Sequence, residues 1–419
     1  MFADEKHVVQ MEGMSVQVRG LTRRAIEAEW ALAAVDRGDA APTPAFTRAE
    51  VVAYAEGKPS ECFGARYLPF DRDRRLARLP RDPFLFVDRV VRVEPQPWVL
   101  QPGGWVTCAF DVAPDAWYFG ASGQGTMPFA VLLEAALQPC GWLAAYLGSA
   151  LLSDSDLQFR NLDGHGTQLA EIRPGAGTLT TRARLTKTSQ AGGMILQEFD
   201  IEVLRGKEHV YVGQTGFGFF PAAALAAQVG LRGASSWTAG VPVARRELPR
   251  SGPTTPAQAV GTVGAGGLAP PSAALSMIDH RDVLDLTGGP AGLGLIAGTK
   301  QVDPSEWFFR AHFYQDPVMP GSLGLEALVE LLKLFARARF PALVSTHRFQ
   351  TMALGHTHRW QYRGQVVPSN LQVRVEARIT AVTEGSSPEL VADGQLSVDG
   401  KIIYAMKDFS LRLVPEASG

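Results

Sequence analysis

The chain has 419 residues, 46% of them hydrophobic, and its 40 basic and 42 acidic side chains leave a formal charge of −2. That length exceeds one small core and points to two or three domains, while the near-neutral balance excludes bulk electrostatic attraction to nucleic acid or to an anionic membrane, so recognition must be local. Three cysteines, Cys62, Cys108 and Cys140, form neither an even disulfide set nor a metal-type spacing, which points to core thiols, no bound metal and a reducing compartment.

The first ten residues include Asp4, Glu5, Lys6 and His7 and lack the apolar heart of a signal peptide. No run of about 18 apolar residues is expected to span a membrane, and the chain reads as soluble and cytoplasmic. Residues 1–75 form a helical lead-in: Leu21 to Ala34 has helical apolar spacing, and Thr47 to Glu50 is a capping box opening a helix over Val51 to Glu56. The first main unit, 76–232, begins with Phe84-Leu85-Phe86-Val87 and Asp88-Arg89, followed by a strand over Gly104 to Val112, a loop at Trp117 and a long apolar helix from Met127 to Leu147. Alternating stretches at 176–188, 194–205 and 208–220 predict antiparallel strands. Residues 233–274, rich in Ala, Gly, Pro, Ser and Thr, read as an interdomain linker too poor in apolar side chains to order well.

The second unit, 275–415, repeats the first. Asp88 matches Asp279, Trp117 matches Trp307, Met127 matches Met319 and Glu134 matches Glu326, at offsets of 191, 190, 192 and 192, a register that marks an internal duplication. Each unit places a long apolar helix before enough antiparallel strands to wrap it, an α+β arrangement whose two sheets can pair. Only the second unit has a histidine in its loop: His312 to Glu326 carries one imidazole, turns at Pro320-Gly321, and enters a helix bearing a lone carboxylate. Pro317 and Pro320 stiffen the loop, and the helix N-terminus offers free N–H groups to an oxygen gaining negative charge, such as a thioester carbonyl passing to an enolate. Glu134 and Glu326 sit among leucines, which desolvates a carboxyl and raises its pKa, making it a usable proton donor.

Arg78-Leu79-Pro80 with Phe84 to Arg89, the run His312 to Glu326, and Ala353-Leu354-Gly355 with Trp360 to Pro368 resemble the hotdog-fold 3-hydroxyacyl thioester dehydratases of the β-hydroxydecanoyl type, and within them the dehydratase domains of polyunsaturated fatty acid synthases. The resemblance covers about 75–415 and implies a double hotdog, each unit an antiparallel sheet around a long helix, paired as a pseudodimer within one chain. It implies an active site between the units, with His312 as base and Glu134 as acid. Gln138 would hold the acid, the Val318 carbonyl would orient the imidazole, and the Gly321 N–H would bind the substrate carbonyl. The common homodimer of that family has aspartate where both halves here have glutamate. The second potential site would need Glu326 and a histidine near Gly120, where the chain reads Gly120-Ala121-Ser122-Gly123-Gln124, and is expected to be dead. The implied reaction is loss of water from a (3R)-3-hydroxyacyl chain on the phosphopantetheine arm of an acyl carrier protein, with no further cofactor, neighbouring synthase domains as partners, and double-bond isomerisation as an open addition.

Two other functions fit part of the pattern. A hotdog thioesterase needs an activated water rather than this loop-helix motif, and a non-catalytic scaffold segment that docks carrier protein would keep the motif as a relic. Arg310, Arg359 and Arg363 are the candidate docking cations. His356 and His358 on one strand suggest a metal pair but have no third ligand, His165 between two glycines reads as a polar turn, Asp88-Arg89 as a structural pair, and Cys140 as a core thiol with no activating base.

Overall fold

Alternating stretches become strands and the two apolar runs become the helices they enclose. The computed structural model describes residues 43–262 and 266–416 and, as a small unit by itself, the antiparallel pair Phe2–Ala3 and Lys6–His7. The helix expected at Leu21 to Ala34 lies outside the described residues. The first half contains α1 (Arg48–Glu56), β1 (Arg89–Val93), β2 (Trp105–Val112), the short α2 (Trp117–Ala121), the long α3 (Phe129–Tyr146), β3 (Leu157–Gln168), β4 (Gly177–Ala191), β5 (Met194–Arg205) and β6 (Glu208–Pro221). After a two-residue β7 (Arg246–Glu247) the plan returns as β8 (His280–Asp285), β9 (Leu295–Gln301), α4 (Trp307–Ala311), α5 (Gly321–Arg339), β10 (His347–Thr351), β11 (Thr357–Tyr362), β12 (Gln372–Thr383), β13 (Glu389–Val398) and β14 (Lys401–Pro415).

One continuous antiparallel sheet runs β1-β2-β4-β5-β6-β3-β11-β14-β13-β12-β9-β8-β7, with β10 beside β14. Each half is a hotdog, and the pairing of β3 with β11 joins them into a double hotdog. At this seam Gly166 lies opposite His358 and Gly164 opposite Trp360. Both positions require glycine, because a Cβ at Gly164 would overlap the Trp360 ring and one at Gly166 the Tyr211 hydroxyl. The Trp360 indole N–H donates back to Asn161 Oδ1 at 2.7 Å.

Residues Phe129 to Ala145 of α3 are all buried, as a helix apolar on every face must be. Pro139 inside it cannot donate to the Ala135 carbonyl, and Thr181 Oγ1 of β4 donates to that oxygen instead, at 3.0 Å. Against the expectation that no apolar run is long enough, α3 is the one helix among the described residues with the length and hydropathy to cross a membrane, but 89% of it is buried inside the protein, which makes it a core helix.

The capping box at Thr47 and Glu50 is present, and the segment behind it covers α3: Phe46 meets Trp142 edge-on at 4.8 Å between ring centroids, and the Tyr54 hydroxyl donates to the Ala77 carbonyl at 2.9 Å. Poor order does not follow for 233–262. Ser236 and Thr238 donate to Glu376 Oε1 at 2.5 and 2.6 Å, the Trp237 N–H donates to Oε2 at 2.8 Å, and β7 extends the sheet beside β8. Buried polar anchors fix this stretch where apolar area is lacking.

The duplication recurs bond by bond. The Phe86 N–H donates to Gln138 at 2.7 Å and the Met277 N–H to Glu330 at 2.6 Å. The Asp111 N–H donates to Asp88 at 2.7 Å and the Gln301 N–H to Asp279 at 2.8 Å. The indoles of Trp117 and Trp307 donate to the carbonyls of Pro83 and Ala274 and meet edge-on at 5.3 Å where the halves face each other.

Candidate active site

Helix α4 ends at His312, whose backbone the following loop folds back to grip. The Val318 N–H donates to the His312 carbonyl at 2.8 Å, and His312 Nδ1 lies 3.0 Å from the Val318 carbonyl oxygen. A carbonyl only accepts, so Nδ1 carries the proton and Nε2 presents its lone pair. Burial pushes the imidazole pKa down to about 3, against a smaller upward pull from the Val318 carbonyl, so the ring is neutral at ordinary pH. The loop is clamped from the other half by Arg160 of β3, which forks onto both Asp316 oxygens at 2.7 and 2.8 Å, and Gln158 adds a bond of 2.7 Å to the same carboxylate.

Glu134 lies on α3 of the first unit. Its Oε2 accepts from Gln138 Nε2 at 3.1 Å and its Oε1 from Ser322 Oγ of α5, across the two units, at 2.7 Å. Gln138, one turn along the same face, is itself fixed by the Phe86 N–H and by donating to the Phe84 carbonyl at 2.8 Å. Burial raises the Glu134 pKa above the ordinary glutamate value, opposed by the bonds from Ser322 and Gln138. His312, Glu134, Gln138, Val318 and Gly321 all line one cavity of about 100 Å³. Gly321 opens α5, where the first N–H groups have no partner inside the helix. A neutral imidazole, a carboxyl biased toward its protonated form and a cluster of backbone donors therefore face one space, drawn from both halves.

Several groups here had no sequence signal. Ser322 is an ordinary helix-start serine until the facing helix brings Glu134 to it. Arg160 and Asn161 lie in β3, a strand without apolar alternation. The Tyr362 hydroxyl is buried at the cavity wall without a partner. Leu137 of α3 also lines the cavity, whereas Leu133, Leu325 and Phe335 are buried in the core.

The opposite half-site is built differently. Counted from the matching tryptophans, Ser122 stands where His312 stands, each residue capping its short helix. Ser122 Oγ lies 3.0 Å from the Phe119 carbonyl oxygen and 3.1 Å from that of Thr126, the latter at the place where the imidazole meets Val318. The surface near Gly120 is covered by the Ala259 and Thr262 carbonyls. Glu326 is paired with Lys333 at 3.2 Å, their side chains 1% and 3% exposed.

The remaining candidates are structural in their contacts. Asp88 accepts from Arg48 at 2.9 Å, and Arg89 pairs instead with Asp111 at 2.6 Å. His165 lies in strand β3, so its expected polar turn is not formed. His358 is buried against the Tyr211 hydroxyl at 3.1 Å, whereas His356 is exposed beside Glu389. Burial raises the thiols of Cys62, Cys108 and Cys140 above the ordinary range, consistent with inert core positions. Arg359 and Arg363 lie beside Asp408 and Asp163, and Arg310 is exposed.

The chain is 31% identical over 398 residues to a polyunsaturated fatty acid synthase subunit of Thraustochytrium sp. (strain ATCC 26185 / S-3), a match covering 89% of this chain and 26% of that protein, so it spans about a quarter of the relative's length. Among solved structures, the dehydratase domain from the CurJ module of curacin polyketide synthase aligns over 78% of this chain and 96% of its own at 12% identity, with a TM-score of 0.38. A tesB protein of Mycobacterium avium subs paratuberculosis aligns over 78% and 96% at 10% identity, with a TM-score of 0.39. The FabA-like domain model matches residues 79–214 and again 269–407, more than half of the sequence, and the chain belongs to the FabA-like domain family.

Proposed function

We propose that this chain is a 3-hydroxyacyl thioester dehydratase with one working site, acting on (3R)-3-hydroxyacyl groups carried by the phosphopantetheine arm of an acyl carrier protein during polyunsaturated fatty acid synthesis. The observation that carries the reading is the shared cavity: a neutral imidazole from the second unit and a buried carboxyl from the first line it together. In this reading His312 Nε2 takes a proton from C2 of the substrate. The electron pair moves toward the thioester carbonyl, whose oxygen gains charge beside the Gly321 N–H at the start of α5. Expulsion of the C3 hydroxyl follows as Glu134 gives it a proton, yielding water and a 2-enoyl thioester. The imidazolium and carboxylate left behind return to their starting forms by losing and regaining one proton. Gln138 and Ser322 hold the carboxyl for the transfer, and Val318 keeps the imidazole in the required tautomer. No cofactor is needed beyond the carrier arm, and neighbouring synthase domains supply and remove the acyl chain.

Mass-spectrometric turnover of a 3-hydroxyacyl carrier protein tests the reading. Wild type is expected to lose one water from the acyl chain. His312→Ala and Glu134→Gln should lower the rate by about 10²-fold or more, and Glu326→Gln, measured per folded molecule because it leaves buried Lys333 unpaired, should leave it near wild type. Absence of dehydration in wild type, or loss confined to Glu326→Gln, refutes it. The double-bond position in the product reads isomerisation in the same experiment, and free acid in place of an enoyl thioester would identify a thioesterase.

A further inference from the structure

Four residues of α3 line the cavity, Glu134, Leu137, Gln138 and Gly141, at the spacing of one helix face. At a rise of 1.5 Å per residue, Gly141 lies about 10 Å along the helix axis from the acid. Around it the wall is apolar, with Leu79 and the stacked rings of Phe159 and Phe217 at 4.5 Å. The other end is polar: Gln228, Gly364 and Gln365 also line an adjoining surface cavity that reaches Asp399 and Lys401. The space is thus apolar where Leu79 and Phe159 flank Gly141 and meets the polar surface cavity at Gln228, Gly364 and Gln365.

The duplicated unit shows what a side chain at that position does. At the offset of 192 that relates Glu134 to Glu326, Gly141 corresponds to Lys333, and Lys333 fills the space beside Glu326 with its own stem and ammonium, 3.2 Å from the carboxylate. We propose that Gly141 is the specificity-determining residue of the site: its missing side chain keeps open the channel that receives an acyl chain beyond the reacting carbons, and the protein accepts long-chain 3-hydroxyacyl thioesters for that reason. Lysine at the matching position closes the sister half-site. The inference rests on the dehydratase reading for the identity of the substrate, but the channel itself is tested by binding alone.

A Cβ at Gly141 would meet Leu79 Cδ2 at 3.4 Å and Phe159 Cε1 at 3.5 Å, ordinary contacts, and alanine favours a helix interior over glycine. Gly141→Ala is therefore compatible with the fold, whereas leucine reaches into the channel. The experiment compares wild type, Gly141→Ala and Gly141→Leu for dehydration of 3-hydroxybutanoyl and 3-hydroxydecanoyl pantetheine thioesters. It also measures binding of the unreactive decanoyl and butanoyl thioesters by calorimetry. The long-to-short ratio of kcat/KM should fall by about 50-fold or more in Gly141→Leu, in the range set by loss of apolar pocket contacts, with Gly141→Ala between. Decanoyl binding should weaken in parallel relative to butanoyl binding. An unchanged ratio in both assays overturns the channel. Selective loss of decanoyl binding without dehydration by any variant upholds the channel and overturns the dehydratase reading alone.

Discussion

Replacing Lys333 by methionine is expected to destabilise the protein by about 3–5 kcal/mol, and adding Glu326→Gln in the same chain to restore most of that loss. The two charged atoms lie 3.2 Å apart with side chains 3% and 1% exposed, and the other donor reaching Glu326 is the Ala130 N–H at a long 3.4 Å. At that separation the attraction is about 5 kcal/mol for an effective dielectric of 20, and it offsets the cost of taking both charges out of water. Methionine preserves much of the lysine volume but leaves the carboxylate without its counter-charge, whereas glutamine removes the charge that needed one. Urea unfolding of wild type, both single variants and the double variant gives the coupling directly. Because Glu134 serves the proposed site, turnover of the double variant should stay near wild type. A Lys333→Met protein within about 1 kcal/mol of wild type, or a double variant no more stable than Lys333→Met, would refute the argument that this pair neutralises a vacated half-site.

Two further outcomes follow from the same geometry. The proposed reaction requires His312 neutral and Glu134 protonated; since burial holds His312 down to about 3 and raises Glu134 above the ordinary glutamate value, the acid limb of kcat/KM should lie near pH 3 and the alkaline limb, set by ionisation of Glu134, above the ordinary glutamate range. A pH-rate profile with an acid limb near the ordinary histidine value would contradict this. Gln138→Leu strips the Phe86 N–H and the Phe84 carbonyl of their partner, and at about 1–3 kcal/mol for each of the two buried polar groups left unpaired it should cost about 2–6 kcal/mol in denaturant unfolding and slow turnover by releasing Glu134.

Much of the arrangement was legible because duplication writes the same signal twice. Matching tryptophans, methionines and glutamates set the register of the halves; the apolar run at 127–147 emerges as an enclosed helix with ends shifted by a residue or two, and the helix entered at Pro320-Gly321 as its counterpart. The strand β3 was illegible for a physical reason. At a seam between two sheets its residues answer to another strand rather than to core and solvent, so Gly164, Gly166, Asn161 and Asp163 replace the alternation a half-buried strand shows. The same seam hides Arg160, whose partner Asp316 is distant in sequence. The stretch 233–262 misleads for the opposite reason: composition reports apolar area and is blind to a single buried carboxylate such as Glu376, which orders Ser236, Trp237 and Thr238 together.

The pairing of β3 with β11 has a consequence for how the assembly behaves in dilute solution. Glu134 and His312 come from opposite sides of that seam, so two separate chains would hold them together only by mass action and would lose the shared cavity as they parted. Here residues 233–274 tether the halves, and the seam reforms against a local concentration of its partner in the millimolar range typical of short tethers, independent of how much protein is present. The tether also frees the halves from identity: a homodimer must place any substitution in both of its sites, whereas this chain carries glycine in one helix and lysine at the matching place in the other.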